Sequence, residues 1–223
     1  MRIIVTAGPT RERIDAVRFI TNASSGKMGC AVAATAARAG HEVTLLAGES
    51  VSAAGLPESC AVDRFVSAED LRNLLEKQFG DCGALVMAAA VGDFRLEKPF
   101  TGKVPRGGGP ITVRLVPTED ILAGLGGRKR PGQVIVAFAV EDGPAGEIEA
   151  KARSEMAVKN ADYVVLNTPS AMGADRSRAC VLDPAGIVLP WADRTKESLG
   201  EEIVRLLGRT GADHRTGRPG RRA

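Results

Sequence analysis

The sequence predicts an α/β fold: a Rossmann-like, doubly wound, mostly parallel sheet with a flap and a C-terminal β-hairpin plus helix. Three observations predict it. Short apolar, β-branched runs alternate with helical patterns along the chain, which is the mark of consecutive βαβ units. The runs are apolar at successive positions rather than at every second one, as strands covered on both faces are. With 223 residues, 44% hydrophobic and 26% charged, the chain has ordinary globular composition and can bury a sizeable core. One domain over 1–208 is expected, followed by an arginine-rich, disordered tail over 209–223.

Ile3–Thr6, Val43–Leu46, Ala84–Ala90, Val134–Ala139 and Tyr163–Leu166 read as buried strands. Between them Lys27–Arg38, Ala68–Phe79, Thr118–Leu125 and Glu147–Lys159 read as helices, each closed by Gly, Asn or a polar turn. The stretch 94–117 carries Gly102, Pro105 and Gly107–Gly109 ahead of the alternating run Ile111–Val116, a flap returning through an edge strand. Asp183-Pro184-Ala185-Gly186, between Ala179–Leu182 and Ile187–Pro190, is hairpin chemistry, and the amphipathic Lys196–Leu207 is the last helix. Sheets of this kind bind ligands beyond the carboxyl ends of their strands. The irregular segments following strand ends, Ala7–Gly26, Val91–Gly109 and Asn167–Arg178, are therefore the candidate working loops.

Several function classes are excluded at this level. The longest uncharged apolar run, Ala84–Gly92, falls far short of the ~20 residues that cross a bilayer. The N-terminus reaches Gly8-Pro9 before a signal core can form, so a cytoplasmic protein without a membrane partner is expected. Cys30, Cys60, Cys82 and Cys180 make no C-x-x-C pair and read as reduced structural thiols. Neither His41 nor His214 belongs to a nucleophilic triad pattern. The formal charge of +3 is concentrated in 209–223, where five arginines meet one aspartate and leave −1 for the remainder. One Trp, one Tyr and six Phe, with no basic stripe among them, argue against a nucleic-acid partner.

Ser24-Ser25-Gly26-Lys27, opening the helix that runs to Arg38, brings hydroxyls, a flexible glycine, free helical N–H groups and a cation together, as an anion cradle requires. The alternative is that Ser24 or Ser25 only caps the helix. Asp93 stands just past a central strand among small residues, suited to a metal, a ribose or a base, or else to capping a turn. Lys103 lies in the glycine-rich flap, where a cation can close over phosphates or simply be solvated. Phe138 can stack on a base or pack in the core, and Lys159 can reach a phosphate or answer a helix dipole.

Taken together, Thr6-Ala7-Gly8-Pro9-Thr10-Arg11-Glu12, Ile14-Asp15, Val17-Arg18-Phe19-Ile20, and Asn22 with Ser24–Gly29 resemble the N-terminal signature of the phosphopantothenoylcysteine synthetases. Ala88–Arg95, Lys103, Asp120-Ile121-Leu122, Val136–Ala139 and Lys159–Asp162 leading to Asn167 resemble its later motifs, so the likeness spans residues 2–207 in family order. The resemblance implies a ligase of coenzyme A biosynthesis, the synthetase domain of the bacterial bifunctional protein in stand-alone form. Its substrates are 4′-phosphopantothenate, cysteine and a nucleoside triphosphate, CTP or ATP. The carboxylate is activated to an acyl nucleotide with release of pyrophosphate, and the cysteine amine then forms the amide. It further implies a homodimer, a Mg²⁺ held mainly by the nucleotide phosphates with no protein ligands assigned, and no flavin.

By the same resemblance Asn22 handles the acyl-nucleotide intermediate and Lys103 acts with it in catalysis. Met87, Ala88, Ala89, Asp93, Lys103, Glu119, Asp120, Ile121, Leu122, Phe138 and Lys159 contact the nucleotide. An Asn amide is suited to donate to the carbonyl oxygen that gains charge during amine attack. This chain departs from the pattern at Glu155, where the family carries a lysine, with Lys151 one turn earlier as a possible substitute; after Lys103; at Val140-Glu141-Asp142; and beyond Asn167. A diverged nucleotide-binding homologue without ligase activity is the alternative. An NAD(P) reductase is a further one, opposed by the missing G-x-G-x-x-G.

Overall fold

The computed structural model describes residues 1–107 and 109–216. The chain opens with β1 (Arg2–Ala7), leaves the sheet for a small hairpin of β2 (Arg11–Arg13) and β3 (Phe19–Thr21), and enters α1 (Lys27–Arg38). There follow β4 (Glu42–Gly48), β5 (Cys60–Phe65), α2 (Ala68–Gln78), β6 (Ala84–Met87), β7 (Phe94–Leu96), β8 (Leu115–Pro117), α3 (Ile121–Gly126) and β9 (Val134–Val140). The chain continues through α4 (Ala145–Val158), β10 (Tyr163–Asn167), β11 (Arg176–Asp183), β12 (Gly186–Thr195) and α5 (Lys196–Thr216).

Eight strands make one sheet in the order β12-β11-β10-β9-β6-β1-β4-β5. The six from β5 to β10 are parallel, and β11 and β12 add an antiparallel end. Side chains alternate across the strands. Ile3, Val5, Val43 and Leu45 therefore join Val32, Leu199 and Ile203 of α1 and α5 on one face. Ile4, Leu46, Leu85 and Ile135 join Leu71, Leu75 and Met156 of α2 and α4 on the other. The doubly wound, mostly parallel architecture is the one the alternation of elements predicts.

The differences are local. The strand expected to reach Ala90 ends at Met87, because the next residues turn to bond the β1–β2 corner: Ala89 N–H donates to Thr6 Oγ1 at 2.9 Å and Ala90 N–H to the Gly8 carbonyl at 3.0 Å. The hairpin β2–β3 lies inside a segment expected to be irregular, and β5 was not anticipated. As a sheet edge, β5 buries only its ends, so its sequence has no continuous apolar run. Within the flap β7 (Phe94–Leu96) and β8 (Leu115–Pro117) pair with each other away from the main sheet, in place of the expected edge strand over Ile111–Val116. The terminal hairpin is present and longer than expected, its turn fastened by Asp183 Oδ1 accepting from the N–H groups of Ala185 and Gly186. The last helix, expected to end at Leu207, continues to Thr216, which places the expected tail boundary at 209 within a helix; residues 217–223 lie outside the described residues.

One glycine fixes how close α1 comes to the sheet. A Cβ on Gly29 would stand 2.5 Å from both the Ala7 Cβ and the Thr6 carbonyl oxygen. Gly29→Ala is therefore expected to push the N-terminal turn of α1 off β1 and to cost about 1–3 kcal/mol of stability, read from chemical denaturation, although alanine is the better helix former.

Candidate active site

The strand order reverses between β1 and β6: the chain leaves β1 for β4 on one side and β6 for β9 on the other. Such a switch point leaves a crevice beyond the carboxyl ends of the strands. Here it holds a cavity of about 470 Å³. Its walls are the strand-end residues Met87, Ala88, Ala89 and Phe138, the start of α1 with Ser24, Ser25, Gly26 and Lys27, and Asn22 just before it. Asp93, the segment Glu119–Leu122 and Lys159 complete the wall. Every residue singled out in the sequence is thus brought to one place except Lys103, which stands exposed on the flap and is absent from this wall.

At the helix end of the cavity, Gly26 is the N-cap of α1, with φ of +77° and no side-chain cap. A Cβ there would come within 2.6 Å of Val51 Cγ2, so the position needs glycine on both backbone and packing grounds. Ser24 Oγ accepts from the Gly26 N–H at 3.4 Å, a contact within the turn rather than a helix cap. The first N–H groups of α1 are left to whatever anion occupies the cavity. The Lys27 ammonium donates to Asp175 Oδ1 at 2.6 Å and to the Gly173 carbonyl at 3.2 Å, and holds the Asp175 carboxyl below the usual carboxylate range.

Asn22 is part of the cavity wall. Its amide nitrogen donates to the carbonyls of Ala90 at 3.1 Å and Val91 at 3.2 Å. Those bonds engage the donor side of the group and leave Oδ1 as what it offers a ligand. Asp93 anchors the next turn through its backbone carbonyl, which accepts from the Thr118 N–H at 2.9 Å, and its carboxylate has no hydrogen-bond partner among the described residues. Asp120 Oδ1 caps α3 through the Ala123 N–H at 3.0 Å, while Glu119 is tied to Arg72 at 3.1 Å. Among the described residues no group of three or more His, Cys, Asp or Glu side chains is arranged to hold a metal.

A family model described as the DNA/pantothenate metabolism flavoprotein C-terminal domain matches residues 1–209. The chain belongs to this family. It is 42% identical over 185 residues to the coenzyme A biosynthesis bifunctional protein CoaBC of Mycobacterium tuberculosis H37Rv, covering 79% of this chain and 43% of that protein. It is 37% identical over 210 residues to a cysteine/cysteine sulfinic acid decarboxylase of an unknown prokaryotic organism, covering 92% and 57%. The chain therefore spans about half the length of these relatives. The crystal structure of the C-terminal domain of CoaBC superposes with a TM-score of 0.78 at 31% identity, covering 95% of this chain and 96% of that one.

Within this family domain, the cavity wall also holds Asn167, read in the sequence only as the end of a family motif and the start of a working loop, and Lys196, which the sequence did not single out. Asn167 ends β10, is 7% exposed, and its Oδ1 has no hydrogen-bond partner among the described residues. Lys196, the first residue of α5, is 8% exposed and donates to the Ala171 carbonyl at 3.0 Å and to Ser177 Oγ. Burial, with the nearby Lys27 charge, pulls its ammonium below the usual lysine range. No spacing rule reveals Lys196 as a neighbour of Lys27, since only the sheet order brings α5 against α1.

The departure at Glu155 has a definite geometry. Its carboxylate accepts from Lys159 at 3.0 Å, and Asp120 Oδ2 stands 3.9 Å from the same ammonium. Lys151 does not substitute: it pairs with Glu141 at 2.7 Å and is not in the cavity wall. If the cavity takes a nucleotide, Glu155→Gln is expected to loosen the hold on Lys159 and to tighten that binding by about two- to fivefold, the range set by a partly exposed ion pair, as read by calorimetric titration.

The flap is rooted in Asp15, whose residue is 2% exposed. Its carboxylate accepts from the N–H groups of Val17 at 2.8 Å, Arg18 at 2.7 Å and Val104 at 3.1 Å, and from the Arg18 guanidinium. The guanidinium first, and then these backbone donors, hold the carboxyl well below its ordinary value of 3.8. A carboxyl lowered in the folded state stabilises above that ordinary value and loses its contribution as the pH falls through the folded one. The difference in melting temperature between the protein and Asp15→Asn is expected to be constant near neutral pH and to shrink below 3.8.

The thiols are those of a packed interior. Burial pushes Cys82 up to about 11 and Cys180 up to about 12, and all four cysteines are free. No described helix is long and apolar enough to cross a membrane.

Proposed function

We propose that the chain is a cytoplasmic phosphopantothenate–cysteine ligase. It activates the carboxylate of 4′-phosphopantothenate with CTP, or with ATP, to an acyl nucleotide, and couples that intermediate to cysteine. The observation that carries this reading is the joining of Asn22, the start of α1 with no side-chain cap and with Lys27, and the strand-end aromatic Phe138 in one switch-point cavity. Its family membership and its likeness to the CoaBC C-terminal domain support it.

The residues divide the work in this reading. Phe138 and the small strand-end residues Ala88 and Ala89 give the base a flat, close approach. The N-terminus of α1, with Lys27, takes the phosphates, and Lys27 exchanges Asp175 for them. Mg²⁺, when bound with the nucleotide, neutralises phosphate charge, and Asp93 is the uncommitted carboxylate in the wall placed to assist it. Asn22 keeps its donors on Ala90 and Val91 and turns Oδ1 to the intermediate, so its task is to accept an N–H from the attacking amine, in place of the donation to the acyl carbonyl expected from the sequence.

Lys103 then belongs to a neighbouring site. The flap and the β2–β3 hairpin leave Phe19, Phe94, Phe100, Ile111 and Leu115 exposed, apolar side chains that a second copy of the chain would cover in this reading. In a homodimer formed through it, each flap carries Lys103 to the partner's cavity. The test of the ligase reading is pyrophosphate release by the purified protein with 4′-phosphopantothenate, Mg²⁺ and either CTP or ATP. Release that depends on the acid supports it. Nucleotide binding without release from either nucleotide replaces it by the non-catalytic homologue, the reading favoured by the hold of Glu155 on Lys159.

A further inference from the structure

Lys159 enters the cavity wall from the end of α4, and a side chain on a bare helix end would be loosely placed, because terminal turns fray. This end is closed instead. Lys159 is the C-cap; the N–H of Asn160 donates to the Ala157 carbonyl at 3.3 Å and that of Ala161 to the Met156 carbonyl at 3.0 Å, the paired bonds of a Schellman turn. Such a turn places its next residue in the left-handed region, and Asn160 takes that place with φ of +46°. It is the one non-glycine residue with positive φ among the described residues, at a position where glycine would adopt the same backbone without steric cost.

What asparagine adds over glycine is its side chain. Asn160 Nδ2 donates at 2.9 Å to the carbonyl of Gly126, the last residue of α3, which also accepts from the Lys129 N–H at 3.3 Å. The two helix ends are in close contact: a Cβ on Gly126 would stand 2.1 Å from the Lys159 carbonyl oxygen. Lys129, in the turn after α3, completes the clamp. Its ammonium donates to the Asn160 carbonyl at 3.0 Å and to Asp162 Oδ2 at 2.8 Å, and Asp162 Oδ2 also accepts from the Ile135 N–H of β9 at 2.7 Å. The other end of α3 is in the cavity, where Asp120 caps it and Ile121 and Leu122 share the wall with Lys159. Asn160 itself is exposed and outside that wall.

We propose that Asn160 is a positioning residue for nucleotide binding: by joining the end of α4 to the end of α3, it sets where Lys159 stands relative to Asp120, Ile121 and Leu122. The inference rests on the ligase reading, in which those residues hold the nucleotide and Lys159 answers its phosphates. A cation fixed before the ligand arrives loses less freedom on binding it, so the clamp is read as affinity.

The test is calorimetric titration of CTP and of ATP, each with Mg²⁺, into the protein, Asn160→Gly, Lys159→Ala and the double variant. Asn160→Gly keeps the left-handed backbone and removes the bond to Gly126. It is expected to weaken binding of the accepted nucleotide by about three- to tenfold, the worth of one hydrogen bond, and Lys159→Ala by about tenfold or more, the worth of a charged one. Asn160→Gly is also expected to raise the KM for that nucleotide and to leave the KM for 4′-phosphopantothenate unchanged, which a general loosening of the fold would not do. In the Lys159→Ala background the change at Asn160 is expected to have no further effect on affinity, since the clamp then positions nothing. Equal loss in both backgrounds, a parallel rise in both KM values, or unchanged affinity in either single variant overturns the proposal and leaves Asn160 a helix stop. A protein that binds nucleotide and gives one of these results removes this inference alone; a protein that binds neither nucleotide removes the ligase reading with it.

Discussion

Replacing Asn22 with alanine is expected to leave pyrophosphate release within several-fold of the unaltered protein while slowing amide formation about 10²-fold or more, so that acyl nucleotide accumulates. The reason lies in how the side chain is held. Two backbone carbonyls fix the amide nitrogen, and with it the direction of Oδ1, before any ligand arrives. In the proposed reading, alanine removes the acceptor from the coupling step but none of the cavity groups assigned there to the phosphates, the start of α1, Lys27 and Lys159. Asn22→Asp separates position from chemistry. It keeps the shape and an oxygen, yet faces the carbonyls of Ala90 and Val91 with an acceptor, so it is expected to couple no better than alanine. Quantifying acyl nucleotide and amide by chromatography in the same reaction checks both outcomes.

The second large effect concerns Lys103. Lys103→Ala is expected to lower pyrophosphate release by about 10²-fold, as loss of a cation at developing phosphate charge does. Because Lys103 is outside the cavity of its own chain, the defect is expected to be complemented in trans. Mixing equal amounts of Lys103→Ala and Asn22→Ala chains gives hybrid dimers in which one of the two sites has both residues intact, and about a quarter of the unaltered protein's coupling rate should return after subunit exchange. No recovery, in a mixture shown by light scattering to contain dimers, would place Lys103 in its own subunit's site and remove the dimer argument built on the flap.

Much of the fold was legible because it follows from periodicity. The run Ile3–Thr6 is apolar on both parities since β1 is central, with a helix layer on each face, and α1 is bounded where Gly26 and the Ala39 turn bound it. The edge strand β5 was not legible for the opposite reason: Ala61, Val62, Asp63 and Arg64 are partly or fully exposed, so nothing in the sequence had to be apolar there. The hairpin β2–β3 escaped because its order comes from the buried side chains of Glu12 and Asp15 and from backbone bonds to distant segments, not from an alternating pattern.

The site divides similarly. Lys27, Asp93 and Phe138, close to a strand end or helix start and now in the cavity wall, were singled out from local sequence, and Asn22 from the family resemblance. Lys196 and Asn167 enter the cavity through the sheet order, which sets α5 beside α1 and β10 beside β9. Glu155 reads in the sequence as a lost cation; the structure adds that it also restrains the cation that remains.

The most direct test of the account follows the substrate's own oxygen. If 4′-phosphopantothenate is activated at the α-phosphate, attack of the cysteine amine on the acyl carbon breaks the bond between that carbon and the bridging oxygen. One carboxylate oxygen then leaves with the nucleoside monophosphate. With heavy-oxygen-labelled carboxylate, mass spectrometry is predicted to find one labelled oxygen in the monophosphate, none in pyrophosphate, and the rest in the amide. Label in inorganic phosphate, released together with a nucleoside diphosphate, would contradict an acyl-nucleotide intermediate and with it the account of this cavity.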